Sequence, residues 1–201
     1  MNEHCLRVEF TYQLLESLLQ GKSINLIAPH GQGRRRTLQD LRSILPEAWR
    51  VFQVDMRDVE KRQISLLHAL LEQRKYENIT NIHDFMAEMN KTSTYHLVII
   101  HNLEFLTDLS VISCLNDMEK YPYVSLLYVS EKRQQELALL VTDYILPVVT
   151  SKQLLAEIRR RDFLLKDKDR VLLVDFLLEQ PSPYSLLDTH SEAWFSDGLW
   201  K

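Results

Sequence analysis

Apolar and polar residues follow two periods along the chain, one typical of helices and one typical of strands. In "FTYQLLESLLQG" the apolar residues recur at helical spacing, and they are Phe10, Leu14, Leu15, Leu18 and Leu19. Gly21 follows this run as a C-cap, so the pattern predicts a first helix. The apolar run "INLIA" then predicts a short buried strand. The polar turn after it leads into a helix from Arg34 to Ile44 that ends before Pro46.

The same alternation continues through the middle of the chain. The segments "RVFQVD", "HLVII", "VSLLYV" and "YILPVV" predict further strands. The run Val98 to Ile100 is continuously β-branched, as expected of a central strand in a parallel sheet covered on both faces. Pro147 interrupts the last strand, which suits an edge position. Between the strands, helical periodicity appears in "ISLLHALLEQRK", "IHDFMAEMNK", "LTDLSVISCLNDMEKY" and "EKRQQELALLV".

Strands that alternate with helices of this length predict an α/β fold, a three-layer sandwich around a five-stranded, mostly parallel sheet with right-handed crossovers. From Ser151 onward the pattern is helical, with a break at Pro181 to Pro183. We therefore expect an α/β core over residues 1–150 and a small helical lid or tail over residues 151–201.

The amino-acid composition excludes few functions. The chain has 201 residues, of which 45% are hydrophobic and 26% charged, so it can form one full hydrophobic core. No segment approaches the roughly 18 apolar residues of a membrane span, and we expect a cytoplasmic protein with no membrane contact. Cys5 and Cys114 are far apart and have no metal-ligand spacing, so neither a disulfide nor a metal site is predicted.

One stretch has the form of a phosphate-binding loop. In "INLIAPHGQGRRRTLQDL" a predicted strand enters a glycine turn and leaves through a helix, the arrangement whose backbone amides and helix N-terminus favour phosphate. The candidate phosphate-binding residues are His30, Gly31, Gln32, Gly33, Arg34, Arg35 and Arg36. Two further polar groups follow later strands: His101, Asn102 and Glu104 after the third, and Ser130 at the end of the fourth.

In this order the features resemble the AAA+ and STAND families, which are P-loop ATPases of the additional-strand type. The resemblance covers Ile24 to Asp162 and implies a P-loop NTPase-like fold. A working loop of these families reads G-x-x-x-x-G-K-[ST]. Here Ala28 replaces the first glycine, Arg34 stands at the lysine and Arg35 at the hydroxyl residue. Thr37 comes two residues too late to serve as the magnesium ligand.

The metal-binding strand departs from the family pattern independently. The resemblance implies that His101 occupies the position of the metal-coordinating aspartate, that Asn102 occupies that of the catalytic glutamate, and that Ser130 is the sensor residue. A neutral imidazole and an amide are poor hosts for a hard cation. We do not expect Glu104 to substitute as a displaced acid. Phosphoryl transfer depends on these charges, so we expect a pseudo-ATPase with no catalytic residues and no bound metal.

Two arginine clusters and an aromatic tail are candidate partner-binding features. Arg34 to Arg36 oppose the dipole at a helix N-terminus, a small cost that an anion or an acidic partner would offset. Arg159 to Arg161 are interpreted either as a solvated helical face or as a sensor region. The tail carries Trp194, Phe195 and Trp200, which either dock on their own domain or anchor a protein partner.

Three functional hypotheses follow. The first is a non-catalytic adaptor or regulatory subunit whose partner is a protein, such as an active ATPase or an effector subunit. The second is a weak or partner-activated ATPase that binds ATP through Gly31, Gly33 and Arg34. The third is a nucleic-acid-binding accessory or loader that uses both arginine clusters, although the net charge of −4 opposes a broadly basic surface. We expect either no cofactor, or ATP or ADP bound without Mg²⁺.

Overall fold

The computed structural model describes residues 5–58, 63–71, 79–91, 94–134, 141–161, 163 and 165–190. Its sheet has five strands in the order β2-β3-β4-β1-β5, and every pairing is parallel. The strands are β1 Ile24–Ile27, β2 Arg50–Asp55, β3 His96–His101, β4 Val124–Ser130 and β5 Thr142–Ile145. The predicted α/β class with five strands is confirmed, and β1 is separated from β3 by the inserted β4, as the additional-strand type requires.

Helices connect and follow the strands. They are α1 Val8–Leu19, α2 Arg34–Ile44, α3 Gln63–Leu71, α4 Ile82–Lys91, α5 Leu109–Met118, α6 Ser151–Arg160, α7 Asp167–Leu178 and α8 Pro183–Thr189, with a 3₁₀ turn at Leu103–Phe105. The helix predicted over "EKRQQELALLV" falls largely on residues 135–140, outside the described residues. No helix in the described segments combines the length and apolar character that a membrane crossing needs.

Three predicted boundaries shift, each for a local reason. Strand β5 ends at Ile145, because Pro147 has no N–H to donate to a neighbouring strand; β5 nevertheless lies at the sheet edge, as predicted. Helix α5 begins only at Leu109, since the Asp108 side chain accepts a hydrogen bond from the Ser110 N–H and caps it. The C-terminal helical stretch is divided into α6 and α7 before the proline break.

By contact density the chain forms two compact units. The sheet unit comprises Gln13–Ala28 and Ile44–Ile145, and the loop-helix unit comprises the described residues of Met1–Tyr12, Pro29–Ser43 and Leu146–Lys201. The loop-helix unit therefore contains the glycine turn together with α6, α7 and α8. The division of the chain at residue 150 stays a prediction, and the compact units are drawn differently from it.

The core of the sheet unit lies on both faces of the central strands. On one face, Phe52, Val98, Ile100, Leu126 and Tyr128 pack with apolar residues of α3, α4 and α5. Alternate residues of β3 and β4 point to the other face and are also buried, as are residues of the adjacent β1; among them are Leu97, Ile99, Leu127, Ile24 and Leu26. This two-sided burial explains the continuous apolar run of β3.

The loop-helix unit has its own core and one buried carboxylate. Apolar residues of α6, α7 and α8 pack together, including Leu154, Ile158, Leu173, Leu177 and Leu187. Among them Glu157 is buried and accepts hydrogen bonds from Arg160, Arg161 and the Tyr184 hydroxyl. Burial by itself would raise the pKa of Glu157, but the bonds and charges of the two arginines lower it to about 2.

Glu157→Gln is expected to lower the free energy of unfolding at pH 7 by about 2–3 kcal/mol, because it removes charge-assisted hydrogen bonds from a buried position. The ionised glutamate contributes fully above its ordinary pKa of 4.5, and the contribution disappears as pH falls to about 2. Urea unfolding of both proteins from pH 7 to pH 2 should therefore show the difference shrinking across that window. A constant difference, or an equal loss in the exposed control Glu179→Gln, would contradict this account.

Candidate functional site

The glycine turn between β1 and α2 has a backbone that only glycine adopts easily. Gly31 has φ +77° and Gly33 has φ +78°, both in the left-handed region. The Gly33 carbonyl accepts hydrogen bonds from the Thr37 N–H at 3.0 Å and from the Thr37 hydroxyl at 3.3 Å, which starts α2. The predicted strand, glycine turn and helix are thus present, with the helix beginning at Arg34.

The chain's own C-terminal segment lies against this turn. A Cβ atom placed on Gly31 would lie 2.2 Å from Ser182 Cβ, and one on Gly33 would lie 3.1 Å from the Tyr184 ring. The Tyr184 N–H donates to the Gly31 carbonyl at 3.0 Å. The cavity that remains beside His30, Gly31 and Arg34 has a volume of about 140 Å³. This is less than the roughly 300 Å³ at which small-molecule pockets begin.

Arg7 holds the turn from inside the loop-helix unit, and sequence reasoning missed it. Its buried guanidinium donates to the Gln32 carbonyl at 2.6 Å, to the Thr37 hydroxyl at 3.1 Å and to the Pro147 carbonyl at 3.0 Å. Burial lowers the pKa of Arg7 to about 10. A single arginine at the start of an amphipathic helix has no sequence signal that distinguishes it from a solvated one.

The three arginines after the turn have different surroundings. Arg34, which the family resemblance aligns with the lysine, is half-buried, and its Nη1 has no hydrogen-bond partner among the described residues. Arg35 is exposed. Arg36 Nε lies 3.0 Å from Asp40 Oδ1 in an ion pair one turn along α2. In the second cluster Arg159 is exposed, whereas Arg160 and Arg161 bind Glu157.

In the sheet unit, a carboxylate lies where β2 and β3 end. It belongs to β2 and not to β3, the strand on which the sequence analysis placed the candidate residues. Asp55 ends β2 and pairs in register with His101. The Asn102 amide donates to both oxygens of Asp55, at 2.8 and 2.9 Å, and Arg57 Nη2 lies 2.6 Å from the same carboxylate. The hydrogen bonds from Arg57, and after them that from Asn102, hold the pKa of Asp55 well below its usual range.

The remaining residues at these strand ends also contact protein groups. His101 Nε2 lies 3.2 Å from Gln53 Oε1. Asn102 has a left-handed backbone with φ 56°, which asparagine tolerates better than most residues. Glu104 is half-buried and its Oε2 has no hydrogen-bond partner in the described part of the chain. Sequence reasoning missed Asp55. Its position at the end of a predicted strand could have indicated it, because parallel strands bring their carboxyl ends to the same edge of a sheet.

The predicted sensor residue belongs to a polar network inside the sheet. Ser130 is buried and donates to Asn25 Oδ1 at 3.3 Å. The Asn25 amide donates to Asp143 Oδ1 at 3.0 Å, and Arg133 pairs with the other oxygen of Asp143. No cluster of three or more metal-ligating side chains occurs in the segments that the structure describes. Trp194, Phe195 and Trp200 lie outside the described residues.

Comparison with solved structures identifies the fold. CDC6P from Pyrobaculum aerophilum superposes with a TM-score of 0.60 at 12% identity, over 85% of this chain and 54% of that one. The chain therefore spans about half the length of the Pyrobaculum protein. A structure of Drosophila ORC bound to DNA gives a TM-score of 0.52 at 16% identity, covering 71% of this chain and 89% of that one. The chain has an AAA+-type P-loop fold.

A third structure with the AAA+-type fold, Drosophila ORC bound to AT-rich DNA and Cdc6, has a TM-score of 0.52 at 14% identity and covers 94% of this chain and 74% of that one. No protein-family model matches the sequence, and no curated protein matches it. Because the identities are this low, the likeness establishes the AAA+-type fold and leaves the chemistry to the site itself.

Gly31→Ala is expected to destabilise the protein by about 3 kcal/mol, the sum of left-handed strain and overlap with Ser182. Gly21 is the matched control, since its φ is +72° but nothing lies within 4 Å of an added Cβ. Gly21→Ala should cost only the strain, about 1 kcal/mol. Urea unfolding measures both. Adding Ser182→Gly should recover part of the Gly31→Ala loss, and equal losses at the two glycines would disprove the close contact.

Asn102→Asp is expected to lower the free energy of unfolding at pH 7 by about 2–3 kcal/mol, because it exchanges a hydrogen bond to a carboxylate for a second negative charge. The repulsion raises the pKa of the introduced carboxyl, so the loss is full above that raised value and absent below about pH 4. Asn102→Gly, which keeps the left-handed backbone, should lose less. If Mg²⁺ restored the stability of the aspartate variant, the strand ends would still form a metal site.

Proposed function

We propose that the chain is a non-catalytic AAA+/STAND-like P-loop domain that acts as a protein-binding adaptor or regulatory subunit, with the cytoplasm as its location. The observation that carries the proposal is the contact between Gly31 and Ser182. In a phosphate-binding loop, glycines allow the backbone to approach a ligand closely. Here the same glycines accommodate Ser182 and Tyr184 of the chain itself, and the cavity left beside them is about 140 Å³.

The strand ends of the sheet unit support the same proposal. Magnesium needs oxygen ligands that are free to coordinate it. The Asp55 carboxylate is bound by Arg57 and by the Asn102 amide, and His101 contributes an imidazole that lies against Gln53. A cation at Asp55 would have to displace the Arg57 guanidinium, a charge-assisted partner. The function that remains for such a domain is recognition.

The partner in this proposal is another protein. The likeness to a structure of ORC bound to Cdc6 supports an assembly role, since in that structure ORC is bound to another protein. Binding of nucleic acid, which the titles of the ORC structures state for those proteins, is retained as an alternative.

One observation favours the second candidate, a weak or partner-activated ATPase. Arg34 Nη1 is buried without a hydrogen-bond partner among the described residues, and a phosphate oxygen would satisfy it. ATP or ADP bound without Mg²⁺ is compatible with both candidates, because backbone amides at a helix N-terminus bind phosphate without a metal. Turnover that depends on Mg²⁺ is what separates them.

Calorimetric titration with ATP and ADP, each with and without Mg²⁺ and with sulfate as an anion control, tests the proposal. We expect no binding that requires Mg²⁺ and no release of phosphate above background, because neither the metal ligands nor the base is in place. Tight binding of MgATP, or turnover, would overturn the non-catalytic assignment.

A double variant distinguishes two reasons for absent ATP hydrolysis: the loss of particular side chains and a change in the shape of the site. His101→Asp together with Arg34→Lys restores the residue types that the family pattern places at these positions, a carboxylate and a compact ammonium group. If the protein is an ATPase that lacks only these groups, the variant should raise turnover above that of wild type. We expect turnover to stay at background, because Ser182 still lies on Gly31 and Asn102 still binds Asp55.

A further inference from the structure

The two arginine clusters of the sequence, separated by more than a hundred positions, line one cleft of the loop-helix unit. The cleft has a volume of about 300 Å³, and we call it the arginine cleft; its walls include Arg35, Arg36, Arg160, Arg161, Tyr184 and Asp188. It adjoins the small cavity beside Gly31, with which it shares Arg35, Tyr184 and Asp188, but none of the turn residues 30–34 lines it. Its position was not predictable from either cluster alone.

Two of the four arginines have N–H donors that form no hydrogen bond with a described residue. Arg35 is exposed and forms no hydrogen bond or ion pair with any described residue. Arg160 uses Nε and Nη2 on Glu157, which leaves its Nη1 without a partner in the described part of the chain. The planar guanidinium group presents paired N–H donors that match the two oxygens of a carboxylate.

The other two arginines are fixed parts of the wall. Arg161 binds Glu157, Asp188 and the Leu187 carbonyl, and its Cζ lies 5.4 Å from the centre of the Tyr184 ring. Arg36 is paired with Asp40. These two side chains are already held in place, so the cost in conformational entropy of binding a ligand falls mainly on Arg35.

The charge of the arginine cleft is positive but small. Four arginines are balanced by three carboxylates, those of Asp40, Glu157 and Asp188, so one positive charge remains. Nucleic-acid binding typically engages six to ten phosphates over an extended basic surface. The chain as a whole has a net charge of −4, which repels a polyanion. A short acidic segment with one or two carboxylates fits the confined cleft better than DNA.

We propose that the arginine cleft binds an acidic segment of a protein partner, with an aspartate or glutamate carboxylate received by Arg35 and the free Nη1 of Arg160. This inference rests on the proposed adaptor function and adds the chemistry of the partner. The carboxylate supplies the acceptors that both arginines lack, and it offsets the cost of placing Arg35 in the first turn of α2, where the helix dipole opposes positive charge.

The test is fluorescence anisotropy of the full chain with a fluorescein-labelled peptide Gly-Ser-Glu-Glu-Ser-Gly, alongside a labelled single-stranded thymidine hexamer. Arg35→Glu is the cleft variant, and Arg42→Glu, an exposed arginine on the same helix that does not line the cleft, is the matched control. Arg160→Gln against Arg159→Gln forms a second pair on α6. Circular dichroism confirms that each variant is folded.

We expect saturable peptide binding that Arg35→Glu and Arg160→Gln each weaken at least tenfold, while Arg42→Glu and Arg159→Gln change it less than twofold. Equal weakening by variant and control would mean unspecific charge attraction and would overturn the proposal. So would preference for the thymidine hexamer, or absence of peptide binding. The nucleotide titration is independent: MgATP turnover with intact peptide binding overturns only the non-catalytic function, and lost peptide binding without turnover overturns only this inference.

Discussion

The absence of a side chain at Gly31 is the constraint on which the loop-helix unit depends. Because no Cβ projects from this residue, Ser182 can pack directly on the turn and the Tyr184 N–H can reach the Gly31 carbonyl. Arg7 completes the arrangement from the other end of the sequence by binding the Gln32 carbonyl and the Thr37 hydroxyl. Three segments that are distant in sequence thus meet at a turn whose form is that of a phosphate cradle.

At the strand ends of the sheet unit, the charged Asp55 side chain is bound by other protein groups. Parallel strands bring their carboxyl ends to one edge, which is why Asp55 and Asn102 meet there. A carboxylate at such an edge could serve as a ligand for a hard cation. Here Arg57 and Asn102 bind the carboxylate of Asp55. Ser130, Asn25 and Asp143 likewise satisfy one another across three strands. Polar groups at both places are bound to protein partners.

Local periodicity was sufficient to predict the fold but not the contacts of the site. The alternation of strands and helices, the glycine turn and the start of α2 at Arg34 all follow from neighbouring residues in the sequence. The Asp55–Asn102 bond does not follow from the family pattern, which concerns β3 alone, although pairing of the strand ends could have indicated it. The Gly31–Ser182 contact and the burial of Arg7 involve residues far apart in sequence, and no local pattern specifies them.

The strand order has a consequence for how the chain acquires its structure. Strand β1 is complete by Ile27, yet its neighbours in the sheet are β4 and β5, in which Leu127 and Thr142 pair with Ile24. The loop that closes this pairing is roughly one hundred residues long, and such closure is entropically costly and slow. During synthesis β1 therefore remains without its sheet partners until β4 and β5 have left the ribosome, and its apolar residues need shielding for that interval.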